Sequence, residues 1–78
     1  MGRTGRVDKA VPDGDHALEV LDLACEVADS TGELTAVFYG RAHIAGLEPG
    51  RRIRLRGMVG IGADGRPAMV NPAYDLLG

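Results

Sequence analysis

Arg51, Arg52, Arg54 and Arg56 crowd into one short stretch, and the last three recur at every second position. In an extended chain that spacing places Arg52, Arg54 and Arg56 on one face. Guanidinium groups fork onto phosphate oxygens and stack on bases, so the chemistry open to such a row is the holding of a polyanion. Arg41 and Arg66 add to the positive charge, and Tyr39 offers a flat surface on which a base could stack. The candidate nucleic-acid-binding residues are therefore Tyr39, Arg41, Arg51, Arg52, Arg54, Arg56 and Arg66. The same charges would also keep an outward strand face soluble and discourage edge pairing, and an aromatic ring in a small domain is commonly core.

Other reactive side chains lack the company that catalysis requires. His16 and His43 are far apart and have no Cys or carboxylate at metal-ligand spacing, so no metal is expected. Cys25 is a lone thiol with the character of a small apolar filler. No Ser or Cys sits in a triad-like context, and there is no phosphate loop of the G-x-x-x-x-G-K-S type. Carboxylates are numerous but suit solvated faces. The expectation is a chain with no catalytic residues and no cofactor.

At 78 residues the chain is one small domain, and with 45% hydrophobic residues most of its apolar side chains are needed for the core. The lone cysteine excludes an internal disulfide, which points to a cytoplasmic setting. No apolar run approaches the roughly 20 residues that span a bilayer, and the N-terminal charges have no apolar signal-peptide core behind them, so no membrane partner is expected. A net charge of −2 argues against polyanion binding by bulk charge alone. Its distribution is uneven. Asp8, Asp13, Asp15, Glu19, Asp22, Glu26, Asp29 and Glu33 load the first part, whereas Arg41, Arg51, Arg52, Arg54, Arg56 and Arg66 load the second, which predicts an acidic side and a basic side. Lys9 is the one lysine. A GC-rich genome would by itself favour arginine over lysine, so the preference for guanidinium has that second explanation.

The elements that must position the arginines follow from period and punctuation. Residues 1–15 are polar and end in Pro12-Asp13-Gly14-Asp15; they read as a flexible lead-in or a weak edge strand over Arg6 to Val11, ahead of a domain over residues 16–78. Ala17 to Ala28 fits a long strand with a β-bulge near Val20 and Leu21, where the apolar phase changes, with a helix of about three turns as the rival. Asp29-Ser30-Thr31-Gly32 predicts a hairpin turn, and Glu33 to Tyr39 a strand with Leu34, Ala36 and Phe38 on its apolar face. Gly40 to Gly46 predicts a helical turn or loop, and Leu47-Glu48-Pro49-Gly50 a turn with Pro and Gly in the order that type II turns prefer. Arg51 to Ile61 predicts one continuous strand, with Ile53, Leu55, Gly57, Val59 and Ile61 inward and Arg52, Arg54, Arg56 and Met58 outward. Gly57 suits a tight bend or a close approach to another backbone. A turn at Gly62 to Gly65 leads to a short last strand over Arg66 to Asn71, after which Tyr74, Leu76 and Leu77 give a tail that docks, Tyr74 plugging one end of the core.

This predicts an all-β fold: a small five-stranded Greek-key barrel with a short helical turn or loop between strands three and four, incomplete if residues 1–15 supply no first strand. The order of D-S-T-G-E-L-T-A-V-F-Y (Asp29–Tyr39), L-E-P-G-R-R-I-R-L-R-G (Leu47–Gly57) and M-V-N-P-A-Y-D-L-L (Met69–Leu77) resembles OB-fold nucleic-acid-binding domains, and is similar in particular to the wedge domains of RecG-type branch-migration helicases. Ser30 stands where that pattern has a turn glycine, Asn71 where it has the histidine before proline, and residues 1–16 match no first strand.

The resemblance implies a single-stranded or branched nucleic-acid platform with no chemistry of its own. Together with the charge placement it gives a first reading as a non-catalytic module for single-stranded or branched DNA, and an accessory subunit of a repair or recombination assembly is an intermediate option between this reading and its alternative. The alternative from another class is a protein-interaction or self-association module using opposed acidic and basic faces. A missing first strand would leave an edge free to pair in a homodimer, and an accessory subunit of a larger assembly is a further partner arrangement.

Overall fold

The computed structural model describes residues 2–15, 20–41, 43–62 and 64–78, and the side chains of all of these except residues 13–15, 20 and 21. These residues hold seven strands and no helix: β1 (Gly2–Asp15), β2 (Val20–Asp29), β3 (Gly32–Phe38), β4 (Arg52–Arg56), β5 (Gly60–Ile61), β6 (Pro67–Val70) and β7 (Ala73–Leu77). No helix long and apolar enough to cross a membrane occurs among them. They form one mixed sheet in the order β5-β6-β3-β2-β1-β4-β7, with β3 and β6 parallel and the other neighbours antiparallel. The hydrogen-bonded order ends at β5 on one side and β7 on the other. The all-β class agrees with the sequence pattern, whereas seven strands in an open order replace the expected five.

Local chemistry accounts for the β2–β3 hairpin. Asp29 Oδ1 accepts from the backbone N of Thr31 at 2.7 Å and from its Oγ1 at 2.6 Å, and Gly32 holds φ at 138°. Leu23, Cys25 and Val27 of β2 and Leu34, Ala36 and Phe38 of β3 are buried, each at an alternate position. The residues of Ala17–Ala28 that are described lie in a strand and not in the rival helix. The expected bulge is displaced. Val20 and Leu21 pair in register with Asp15 and Gly14, and the register shift lies between Val7 and Lys9 of β1.

That bulge explains why β1 is obscure in the sequence. Residues 2–15 form a long strand hydrogen-bonded to β2 on one side and to β4 on the other, where a lead-in or weak edge strand was expected. One extra residue switches the phase, so Val7 and Ala10 point to the core and Val11 outward, and no period-2 pattern survives. Gly5 is required by close packing: a Cβ there would meet Ala28 O at 2.6 Å.

The described residues between Tyr39 and Arg51 hold turns and no helix. Leu47 N donates to Ile44 O at 3.1 Å and Arg51 N to Glu48 O at 3.1 Å, with Gly46 and Gly50 at positive φ. Pro49 presets the second turn. Ile44 and Leu47 are both buried, so the connector covers part of the core.

Every strand except β5 contributes to a single hydrophobic cluster, from Met69 of β6 through Phe38, Cys25 and Val7 to Ile53 and Leu55 of β4. In the hydrogen-bonded order β6 and β4 are four steps apart, about 19 Å if the sheet were flat. They share a core because the sheet curls strongly. Tyr74 packs edge-on against Phe38, with ring centroids 5.4 Å apart and planes at 77°. The segment carrying it is strand β7, which pairs residue for residue with β4.

The predicted continuous strand Arg51 to Ile61 is broken. Gly57, Met58 and Val59 lie outside any strand, and the inward phase of Ile53 and Leu55 does not carry through, since Val59 and Ile61 are exposed. A Cβ at Gly57 would make only ordinary contacts, 3.6 Å to Pro72 and 3.7 Å to Met69 Cε, so no close backbone approach demands the glycine.

Candidate nucleic-acid interface

β4 alternates without exception. Ile53 and Leu55 are fully buried, while Arg52, Arg54 and Arg56 are exposed on the outer face, about 6.7 Å apart along the strand. Pairing with β1 sets Arg6 opposite Arg52, Thr4 opposite Arg54 and Gly2 opposite Arg56. Arg6 is exposed and shares the face. It escaped the sequence reading because its neighbour in space is 46 positions away in the chain. Directly opposed like charges on an antiparallel pair are destabilising, so Arg6 and Arg52 hold a local excess of positive potential that a bound anion would relieve.

Compensation on this face is sparse. β7 places Asp75 opposite Arg54, and its Oδ2 lies 3.8 Å from Arg56 Nη2. Arg6, Arg52 and Arg54 form no ion pair with another described residue. Arg51 differs from them. It is half-buried, its Nε is buried without a hydrogen-bond partner, and its carbonyl accepts from Val7 N at 2.8 Å. It fastens β1 to the start of β4.

The remaining candidates lie elsewhere on the surface. Tyr39 is exposed just beyond β3, which is separated from β4 by β2 and β1 in the sheet order. Its backbone N donates to Asn71 Oδ1 at 2.9 Å, and Gly40 N donates to Asp22 Oδ1 at 2.9 Å. Asn71 adopts φ 46°, and its own N donates to Val37 O at 2.7 Å. Arg41 lines a shallow cavity of about 260 Å³ with Phe38, Asn71, Pro72 and Tyr74. Arg66 is exposed beside the β5–β6 turn, with its backbone N donating to Asp64 Oδ1 at 3.0 Å. The seven candidates thus divide into a basic stripe of Arg52, Arg54 and Arg56 on β4, the half-buried Arg51 just before it, a separate aromatic position at the end of β3, and two outlying arginines, Arg41 and Arg66.

Two described side chains, Cys25 and Asp29, have their titration shifted by their surroundings. Burial, and secondarily the Glu26 carboxylate, pushes the Cys25 thiol up to about 11, so it stays protonated at neutral pH and is a poor nucleophile. Hydrogen bonds from Thr31, with a further contribution from Arg3, hold the Asp29 carboxyl below its ordinary value. Arg3 Nε is 3.2 Å from Asp29 Oδ2, tying the start of β1 to the β2–β3 turn. Among the described residues no group of His, Cys, Asp and Glu is placed to hold a metal; His43 is exposed and His16 lies outside the described residues.

Sequence reasoning also missed an apolar groove. Val37, Tyr39, Met58, Ile61, Ala68 and Val70 are among the residues lining a volume of about 690 Å³ between β3, β5 and β6. The signal lay in Gly57-Met58-Val59-Gly60, where two glycines bracket a break in the strand.

Comparison with protein-family models, curated proteins and solved structures finds no match to this chain.

Proposed function

We propose that this chain is a non-catalytic nucleic-acid-binding module of OB-fold type, which takes single-stranded or branched DNA along the outer face of β1 and β4. The observation that carries the reading is the stripe of Arg52, Arg54 and Arg56 with Arg6 set against Arg52, balanced on its face by Asp75 alone among the flanking β1 and β7 residues paired to β4. A guanidinium row in which like charges face one another binds a phosphate backbone better than it stabilises a sheet.

Topology supports the OB-fold part of the reading. β1, β2 and β3 form a meander, β3 runs parallel to β6, and β1 returns antiparallel to β4. β4 and β5 follow one another through Gly57 to Val59, so the two distant parts of the sheet order are joined by the chain itself. Treated as one bent strand, β4 and β5 would close a five-stranded barrel to which β7 is an addition. The separation of Tyr39 from the stripe makes phosphate contact the main source of affinity and base stacking a minor one. Work as an accessory in DNA repair or recombination, in the cytoplasm, follows from the resemblance and the unpaired thiol.

The test is an anisotropy titration of a labelled 20-nucleotide single strand at two salt concentrations. Four phosphate contacts predict a slope of log K on log salt of about −2.8, or roughly 50-fold weaker binding at 200 mM than at 50 mM salt. The variant R52A/R54A/R56A is expected to bind weakly with a slope near −0.7, one contact remaining. A folded protein that fails to bind at low salt, or a triple variant with an unchanged slope, would overturn the proposal. The first of these results would leave docking of a protein partner as the better account.

A further inference from the structure

β5 ends the sheet, and the surface around it is apolar to a degree unusual for a chain this small. Met58 is 90% exposed, Ile61 76%, Tyr39 56%, Val70 53% and Val59 38%. Those fractions correspond to roughly 600 Å² of mostly apolar surface, the top of the range for the largest patch on a monomer. None of the residues lining the groove beneath this patch is charged. Gly60 and Ile61 pair with β6 on one side, and among the described residues no strand pairs with the other.

We propose that this face docks a second copy of the same chain, with Met58 and Ile61 at the centre of a two-fold interface. Charge selects this occupant. A nucleic-acid strand would require cations on the groove wall, and the arginine stripe lies on β4; a strongly acidic or basic partner would find no counter-charge. A neutral surface complements itself, and an isologous contact brings the same patch to both sides. Area agrees. Two such patches facing each other bury about 1,200 Å², the lower bound for a specific protein interface, which makes the dimer a weak one that dissociates with dilution. β5 also offers its unpaired backbone edge to the β5 of the copy.

Sedimentation velocity without DNA over a range of protein concentrations, on the wild type, Met58→Asp and Ile61→Lys, decides the matter independently of the DNA reading. The wild type is expected to move from 8.2 kDa towards twice that mass as concentration rises. Each variant is expected to remain at the monomer mass while keeping the wild-type circular-dichroism spectrum. Both residues are exposed, so the fold tolerates the changes. A wild type that stays monomeric, or dimers that survive both substitutions, would overturn the proposal. So would a wild-type monomer whose DNA affinity drops on substituting Met58 or Ile61, which would assign the patch to bases instead.

Discussion

Asn71 combines two tasks that few residues perform together. Its φ of 46° lies in the left-handed region, where asparagine is tolerated better than most side chains, and its Oδ1 accepts from the backbone N of Tyr39. The first task fixes the exit from β6 towards Pro72, and the second anchors the residue that presents the exposed aromatic ring. Asn71→Ala should cost about 1–2 kcal/mol, from left-handed strain plus the lost acceptor. Asn71→Asp keeps an acceptor and should stay near wild type. Urea denaturation midpoints check this, and an alanine variant as stable as the aspartate variant would show that neither task matters.

At the scale of the element, β4 holds the conflict between stability and binding. Its inner face is optimal, with Ile53 and Leu55 fully buried, while its outer face sets Arg52 against Arg6. Replacing Arg52 with threonine removes the repulsion and supplies a β-branched residue suited to a strand. Arg52→Thr should therefore stabilise the free protein by up to about 1 kcal/mol at low salt, a gain that shrinks at 1 M salt, where charges are screened over about 3 Å. Denaturation at the two salt concentrations measures it. Equal destabilisation at both would mean that Arg52 serves the fold through packing and not through charge.

For the whole molecule the deciding strand is β1. It is the one element between β2 and β4, and through Val7 it places a fully enclosed side chain in the common core. Arg3 adds an ion pair to Asp29 at the turn end of the β2–β3 hairpin. Removing residues 2–7 strips β4 of its β1 neighbour, so the shortened chain should lose its cooperative thermal transition by circular dichroism. A truncated protein that still melts cooperatively would restore the view of these residues as a lead-in.

What could be read from the residues alone was local. The Asp29–Gly32 turn, the buried faces of β3 and β4, the outward row of Arg52, Arg54 and Arg56 and the Pro49-Gly50 turn all depend on period-2 alternation or on side chains acting on their own backbone. An all-β class follows from such patterns. Partner choice does not, because it depends on hydrogen bonds between residues far apart in the chain. The double pairing of β1, the bulge at Val7 and Lys9, Arg6 beside Arg52, and the tail becoming β7 belong to that second kind. The outward position of Val59 and Ile61 is the clearest case. Their alternation continues the phase of Ile53 and Leu55, and only the break at Gly57 to Val59, where the chain leaves β4 to join β6 on the far part of the sheet, turns them to solvent.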